Sequence, residues 1–301
     1  MDEFLIDKRL ARKSFSRAAA SYDEAAVLQR EVARRMLERL QCMKFTPRRI
    51  LDAGSGTGFG RTLLRQRYRH ADIIELDFAL PMLSASARSP LLTRWLERLR
   101  GAQVYRVAGD VERLPLADSS VAMIWSNMTF QWCNDLDATF KEMRRVLQPG
   151  GLLLFSTFGP DTLKELRAAF GAVDGQTHVN RFIDMHDIGD ALVRTGFATP
   201  VMDVEHFTLT YADLKSLMRD LKALGAHNVT RGRPRGLIGR ATWQKLQTAY
   251  ETFREEALLP ATFEVVYGHA WKPEHAERSA SSDQAVIRLD FPQRTRPRPN
   301  A

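Results

Sequence analysis

The sequence predicts an α/β protein: a doubly wound, mostly parallel sheet of seven strands, with an N-terminal helical preface and helical lid insertions. Three observations predict it. Residues 49–64, RILDAGSGTGFGRTLL, pass from a short apolar run through glycines at alternate positions into an amphipathic segment. That is the pattern of a buried strand, a tight turn and a helix start. Strand-like and helix-like runs then alternate five times up to Phe158, which requires parallel strands joined by crossover helices. Beyond Gly159 the periodicity turns mostly helical, interrupted by two further strand-like runs, EHFTLTY and ATFEVVYGHAW.

Residues 1–46 form the preface. Its first 20 residues are polar and basic, and from Glu24 to Leu40 the apolar positions Val27, Leu28, Val32, Met36, Leu37 and Leu40 recur at helical spacing. Tyr22 heads that helix, where it can fold over a site or simply pack half-buried. Pro47 opens the core, residues 47–158. Residues 159–272 supply the lid helices and last strands of the same domain. Residues 273–301 form a tail with Arg294, Arg296 and Arg298 interleaved with Pro297 and Pro299, a composition that favours disorder.

Within the core, Ile50 and Leu51 end in Asp52, followed by Gly54, Gly56 and Gly58. Without Cβ atoms the backbone there can approach a ligand closely, and the amides opening the helix can bind ligand oxygens. The spacing departs from the dinucleotide fingerprint, because Phe59 stands where its last glycine belongs. It resembles the D-x-G-x-G-x-G loop of class I S-adenosylmethionine (SAM) methyltransferases. The second strand-like run, ADIIELD, ends in Asp77, whose carboxylate at a strand tip can accept both ribose hydroxyls of an adenosyl group. Glu75 competes for that role from the same face. Met82 follows Pro81 at a helix start, against adenine or in the core.

Asp110 closes the third strand in GDVERLPLAD. The class I resemblance implies that its carboxylate takes the adenine amine and that the backbone amide of Val111 reads a ring nitrogen. Asn127 and the following MTFQW come after the fourth strand, Val121–Trp125, at the end where such folds carry their site, and are expected to face the bound cofactor. The helix DLDATFKEMRRVL stops at Gln148-Pro149-Gly150-Gly151 and leads into the strand LLLFSTF.

Composition narrows the function classes. Hydrophobic content of 44% and charged content of 27% are those of a globular chain, not a disordered one. No apolar run approaches the roughly 18 residues that span a bilayer, and the first residues carry no apolar secretory core, so a cytoplasmic location is expected. Cys42 and Cys133 form no C-x-x-C, and no metal set is expected. Net charge is +8, which suits nucleic acid, a membrane surface or an acidic protein. No added RNA-binding module or aromatic-and-basic strand platform accompanies it, so neither a nucleic acid nor a membrane partner is expected. A monomer is expected.

Read beyond the cradle, the chain resembles the malonyl-[acyl-carrier-protein] O-methyltransferases of biotin biosynthesis. The segments that carry the resemblance are FSRAAASYDEAAVLQREVARRMLERL, the glycine loop, GDVERLPLADSSVAMIWSNMTFQWCNDL, HVNRF and DLKALGAHN. Ser21-Tyr22-Asp23 and the SN-x-x-x-QW segment are the most specific. The resemblance implies methyl transfer from SAM to the free carboxylate of a malonyl thioester on acyl-carrier protein or coenzyme A. That carboxylate is ionised at neutral pH and requires no general base, which agrees with the lack of a Ser-His-Asp, Cys-His or metal arrangement. Arg181, in HVNRF, is the expected partner of the malonyl carboxylate, with Tyr22 closing over the same group or over SAM. The basic loop Arg231–Arg240 is an expected dock for an acidic carrier, or a solvated turn. Two other readings stay open. FGPDTLKELR, DLKALGAHN and ATFEVVYGHAW also resemble mitochondrial complex I assembly factors described as arginine hydroxylases, and the charge would suit a SAM-binding interaction protein or an RNA methyltransferase.

Overall fold

A computed structural model describes residues 4–88, 102–174, 176–226, 228–233, 236 and 238–274. The first four strands are the runs that alternate with helices: β1 (Arg49–Ala53), β2 (Asp72–Asp77), β3 (Val104–Ala108) and β4 (Val121–Ser126). They are parallel, and β5 (Leu147–Phe158) continues the parallel array beside β4. The last two strands, β6 (Ala198–Tyr211) and β7 (Leu259–Trp271), pair antiparallel, with β7 between β5 and β6. The strand order is β3-β2-β1-β4-β5-β7-β6. Growth of the sheet reverses between β1 and β4, so the crevice at their carboxyl ends is where a ligand fits this class of sheet. The seven-stranded α/β expectation holds.

Both faces of the sheet are covered, as a parallel sheet requires. Alternate residues of each strand divide between two cores. Ile50, Ile73, Met123 and Leu152 pack with α3 (Val27–Gln41), α4 (Phe59–Arg67), α7 (Lys164–Gly171), α9 (Leu214–Ala223) and α10 (Arg240–Glu251). Their neighbours Leu51, Ile74, Ile124 and Leu153 pack with α6 (Leu136–Val146) and α8 (Met185–Arg194). Each such side chain, fully withdrawn from water, contributes about 1.5–3 kcal/mol.

Three boundaries differ from the sequence reading. The preface is three helices, not one: α1 (Lys8–Ala18), the single turn α2 (Tyr22–Ala25) and α3. Ala26, with ψ 43°, separates the last two. α1 escaped notice because its inward stripe is only Ala11, Ser14 and Ala18, too small to read as an apolar face. The Gln148–Gly151 stop falls inside β5, because Gly150 donates to the Lys272 carbonyl and Lys272 to that of Gly151, both at 2.9 Å. The strand EHFTLTY is the second half of the 14-residue β6. Most of the expected tail, residues 275–301, lies outside the described residues, as does Arg235 of the basic loop. No helix among the described residues is long and apolar enough to cross a membrane.

Gly268 of β7 stands directly opposite Phe155 of β5, and a Cβ there would overlap the phenyl ring. The ring is fully buried, so it has nowhere to retreat. Gly268→Ala is expected to destabilise the fold by about 1–3 kcal/mol, the usual cost of overpacking. Combining it with Phe155→Leu should recover part of the loss. Urea unfolding midpoints check both, and an unchanged midpoint for the single variant would mean that the ring has room.

Candidate cofactor and substrate site

The glycine loop joins β1 to α4 and is held in place by Asp77 at the tip of β2. One oxygen of Asp77 accepts from the Gly56 amide at 3.0 Å and the other from the Ala79 amide at 2.8 Å. Two glycines of the loop are dictated by their surroundings. Gly54 has φ +79°, and a Cβ on it would overlap the Thr129 hydroxyl. Gly58 has φ +90°, and its Cβ would lie 2.5 Å from Ser86 Oγ and 2.7 Å from Glu75 Oε1. An L side chain is strained in that conformation and has no space there.

Glu75 does not compete with Asp77 for a ligand. It is fully buried beneath the loop, where it accepts from Arg61 Nε at 3.0 Å and Ser86 Oγ at 2.6 Å and pairs with Arg106 Nε at 3.0 Å. Asp52 is also buried, behind the loop and away from the cavity lining. Burial, then the charges of Glu75 and Asp77, push its carboxyl well above the usual range against the pull of Arg61. Asp52 and Gly58 shape the cradle from behind, and neither faces the cavity.

The other expected cofactor residues come together. Tyr22, Gly54, Gly56, Asp77, Met82, Asp110, Val111 and Asn127 line one cavity at the carboxyl ends of β1, β2 and β4. Met82 and Val111 give it apolar walls. Asn127 is fixed by donating to the Gln29 carbonyl at 3.0 Å and accepting from Ser156 Oγ at 2.9 Å. Tyr22 roofs the glycine loop, its ring 3.9 Å from where a Gly56 Cβ would be. Thr57 donates to Asp23 and so ties α2 to the loop. Burial, then the negative charges of Asp77 and Asp23, push the Tyr22 hydroxyl far up, so it stays protonated and is a donor.

Sequence reasoning missed Lys8, Phe15 and Phe78 of the same lining. Phe15 of α1 stacks edge-on against Trp132 at 5.1 Å and lies 5.9 Å from Phe78. Lys8 reaches Asp110 Oδ1 at 2.9 Å and Glu112 Oε2 at 2.8 Å. The available signal was Phe15 itself, which opens one of the segments that carry the family resemblance.

Arg181 is not in this cavity. It lines a larger cleft of about 1,040 Å³ with Phe4, Gln131, Thr157, Phe158 and Phe182. It is exposed, with its guanidinium 5.6 Å from the centre of the Phe4 ring. Residues 127–132 divide the two spaces: Asn127, Met128, Thr129 and Trp132 face the cavity, while Phe130 and Gln131 face the cleft. Gln131 is clamped between the Met128 carbonyl at 2.7 Å and Thr157 Oγ1 at 3.1 Å.

Residues 51–155 match the methyltransferase domain model. A malonyl-[acyl-carrier protein] O-methyltransferase of Gallionella capsiferriformans is 56% identical over 97% of this chain and 99% of its own length. One of Laribacter hongkongensis is 56% identical over 94% and 95%. The chain belongs to the malonyl-[acyl-carrier protein] O-methyltransferase family. The YcgJ protein of Bacillus subtilis, at 16% identity and a TM-score of 0.53 over 81% of this chain and 99% of that one, shares the fold.

For this family the methyl donor is SAM, and the residues present fit it. A loop with glycines at alternate positions, a carboxylate at the β2 tip, an acid at the β3 end and apolar walls match a ribose, an amine and a purine. Lys8, Phe15 and Tyr22 border this cavity from the preface. Burial pushes the Asp77 carboxyl up to about 6, against the opposing pull of the Ala79 and Gly56 amides. Ribose hydroxyls donate to the ionised form. As pH falls through about 6, Asp77 takes a proton and loses acceptor capacity, so SAM affinity is expected to fall below that pH and to be full above it. Asp77→Asn should weaken binding roughly 10- to 100-fold, the worth of a hydrogen bond to a charged group, and abolish the inflection. Calorimetric titration across this range checks both, and an inflection that survives in the variant would belong to another group.

Proposed function

We propose that the chain methylates the free carboxylate of a malonyl thioester carried on acyl-carrier protein, giving the methyl ester that primes pimeloyl synthesis for biotin. The observation that carries this reading is 56% identity, over 97% of the chain, to a relative named for that activity. When bound, SAM supplies an electrophilic methyl group. The chain's own residues then have three tasks: to hold the acceptor carboxylate, to orient it and to keep water out. A malonyl carboxylate is already ionised at neutral pH, so no residue has to remove a proton from it.

Arg181 supports this reading from the cleft beside the cofactor cavity. Its guanidinium offers a bidentate fork to a carboxylate, and Phe4, Phe158 and Phe182 beside it provide apolar surface for an acyl arm. Tyr22, held as a donor above Gly56, is suited to closing the site over the cofactor. The carrier protein and coenzyme A present the same malonyl thioester, so the preferred carrier depends on contacts outside this cleft. The hydroxylase and binding-protein readings have no observation in their favour comparable to the full-length relatives.

Intact-mass spectrometry of malonyl-carrier protein incubated with the enzyme and SAM tests the activity. A gain of one methylene on the carrier, lost when acetyl replaces malonyl, is the expected result. A carrier that gains no mass would remove the proposal. Arg181→Ala should raise KM for the malonyl substrate roughly 10- to 100-fold, as loss of a charge-assisted hydrogen bond does, with SAM affinity unchanged. An equal loss of SAM binding would make Arg181 a structural residue. Tyr22→Phe is expected to lower kcat more than it weakens SAM binding, and single-turnover kinetics separate the two.

A further inference from the structure

α1 carries five cations and no acid in eleven residues, KRLARKSFSRA. Its faces have different surroundings. Ala11, Ser14 and Ala18 turn inward, and the close approach is permitted by Gly225, whose Cβ would come within 3.3 Å of the Ser14 backbone. Lys8 and Phe15 reach the cofactor cavity. Lys13 and Arg17, one turn apart, face the last turns of α9 across a groove of about 360 Å³, whose opposite wall carries Arg219 and Lys222. All four cations are exposed. Among the described residues, no carboxylate lies within the 4.0 Å of an ion pair with any of them. Asp220, the one acid of α9, interacts with Tyr211, and Asp213 caps the start of α9 by accepting from the Ser216 amide at 2.7 Å while feeling the charge of Arg219 from beyond ion-pair distance.

Four like charges around one groove repel each other, a cost that a complementary anionic surface reverses. The groove lining contains no aromatic side chain, so it offers no platform on which bases could stack. It ends at Ser21, next to Tyr22 at the roof of the cofactor cavity. The Arg231–Arg240 loop is engaged differently. Arg231 donates to the Leu5 carbonyl through its amide, and Arg233 donates to the Thr230 carbonyl at 2.9 Å.

We propose that the groove between α1 and α9 is the docking surface for an acidic protein, the carrier that delivers the acyl thioester. This rests on the carrier-bound substrate proposed above. Docking there sets the partner on the outer face of the helix whose inner face roofs the cofactor.

The test compares two methyl acceptors, malonyl-carrier protein and malonyl-N-acetylcysteamine, which has no protein to dock. Lys13→Glu/Arg17→Glu and, separately, Arg219→Glu/Lys222→Glu should raise KM for the carrier substrate about tenfold or more, as loss of electrostatic complementarity does. KM for the small thioester and the affinity for SAM should stay within about twofold, and raising salt should weaken carrier binding to the unaltered enzyme far more than to the variants. Unchanged carrier KM in both variants overturns the proposal, as does an equal loss with both acceptors, which reports structural damage. Displacement of the carrier by a single-stranded oligonucleotide at equal concentration overturns it in favour of a nucleic-acid partner. If the unaltered enzyme methylates neither acceptor, the proposed activity fails by itself. Calorimetry of the carrier against enzyme and variants then still decides whether the groove binds it.

Discussion

The contact on which the site depends is the buried carboxylate of Asp77, which accepts the Gly56 amide with one oxygen and the Ala79 amide with the other. It fixes the glycine loop to the tip of a neighbouring strand, and the cavity exists because those two pieces of backbone keep their distance. Hydrogen bonds to a charged group are worth about 1.5–3 kcal/mol each, but a buried charge costs several unless it is compensated. The first two strands bury three carboxylates, Asp52, Glu75 and Asp77, and each meets that cost differently. Glu75 is compensated by Arg61 and Arg106. Asp52 is pushed toward its neutral form. Asp77, held by amides and facing the cavity, is the acid that remains available to a ligand.

Much of this half was legible because its residues follow one another at strand tips. A β-α alternation fixes where each strand ends, and in this class of sheet the ends converge on the switch point. The reading was less able to separate residues that face a ligand from those that shape the backbone around it. Asp52 and Gly58 belong to the same motif as Gly54 and Gly56, yet they stand behind the loop, because a motif records local geometry and not the direction of approach.

Tyr22 was expected over the site, but the part of the roof that α1 supplies was not legible, for a different reason. α1 packs through alanines and a serine, so its buried stripe carries no large apolar signal. Lys8 meets Asp110 across 102 residues, and Arg17 shares a groove with Arg219 from the far end of the chain. Such pairs arise only when a polar helix is laid over a completed sheet. Excess positive charge was visible in the composition, but its division into a paired lysine inside the site and exposed cations outside it is a tertiary fact.

The remaining constraint lies in the wall between cavity and cleft. Met128 adopts φ +53° without being glycine, a conformation that costs about 1–3 kcal/mol and persists only where the surroundings enforce it. Here the enforcement comes from β5. The Met128 amide donates to the Ser156 carbonyl at 3.1 Å and to its hydroxyl at 3.0 Å, while that hydroxyl donates to Asn127. The turn presents Asn127 and Thr129 to one space and, two residues on, Gln131 to the other. A regular strand or helix would give consecutive residues a repeating direction, and the thin partition would be lost. The cavity and the cleft are therefore separated by the width of one backbone turn, at the carboxyl ends of β4 and β5. The backbone strain at Met128 is spent on keeping the two spaces apart.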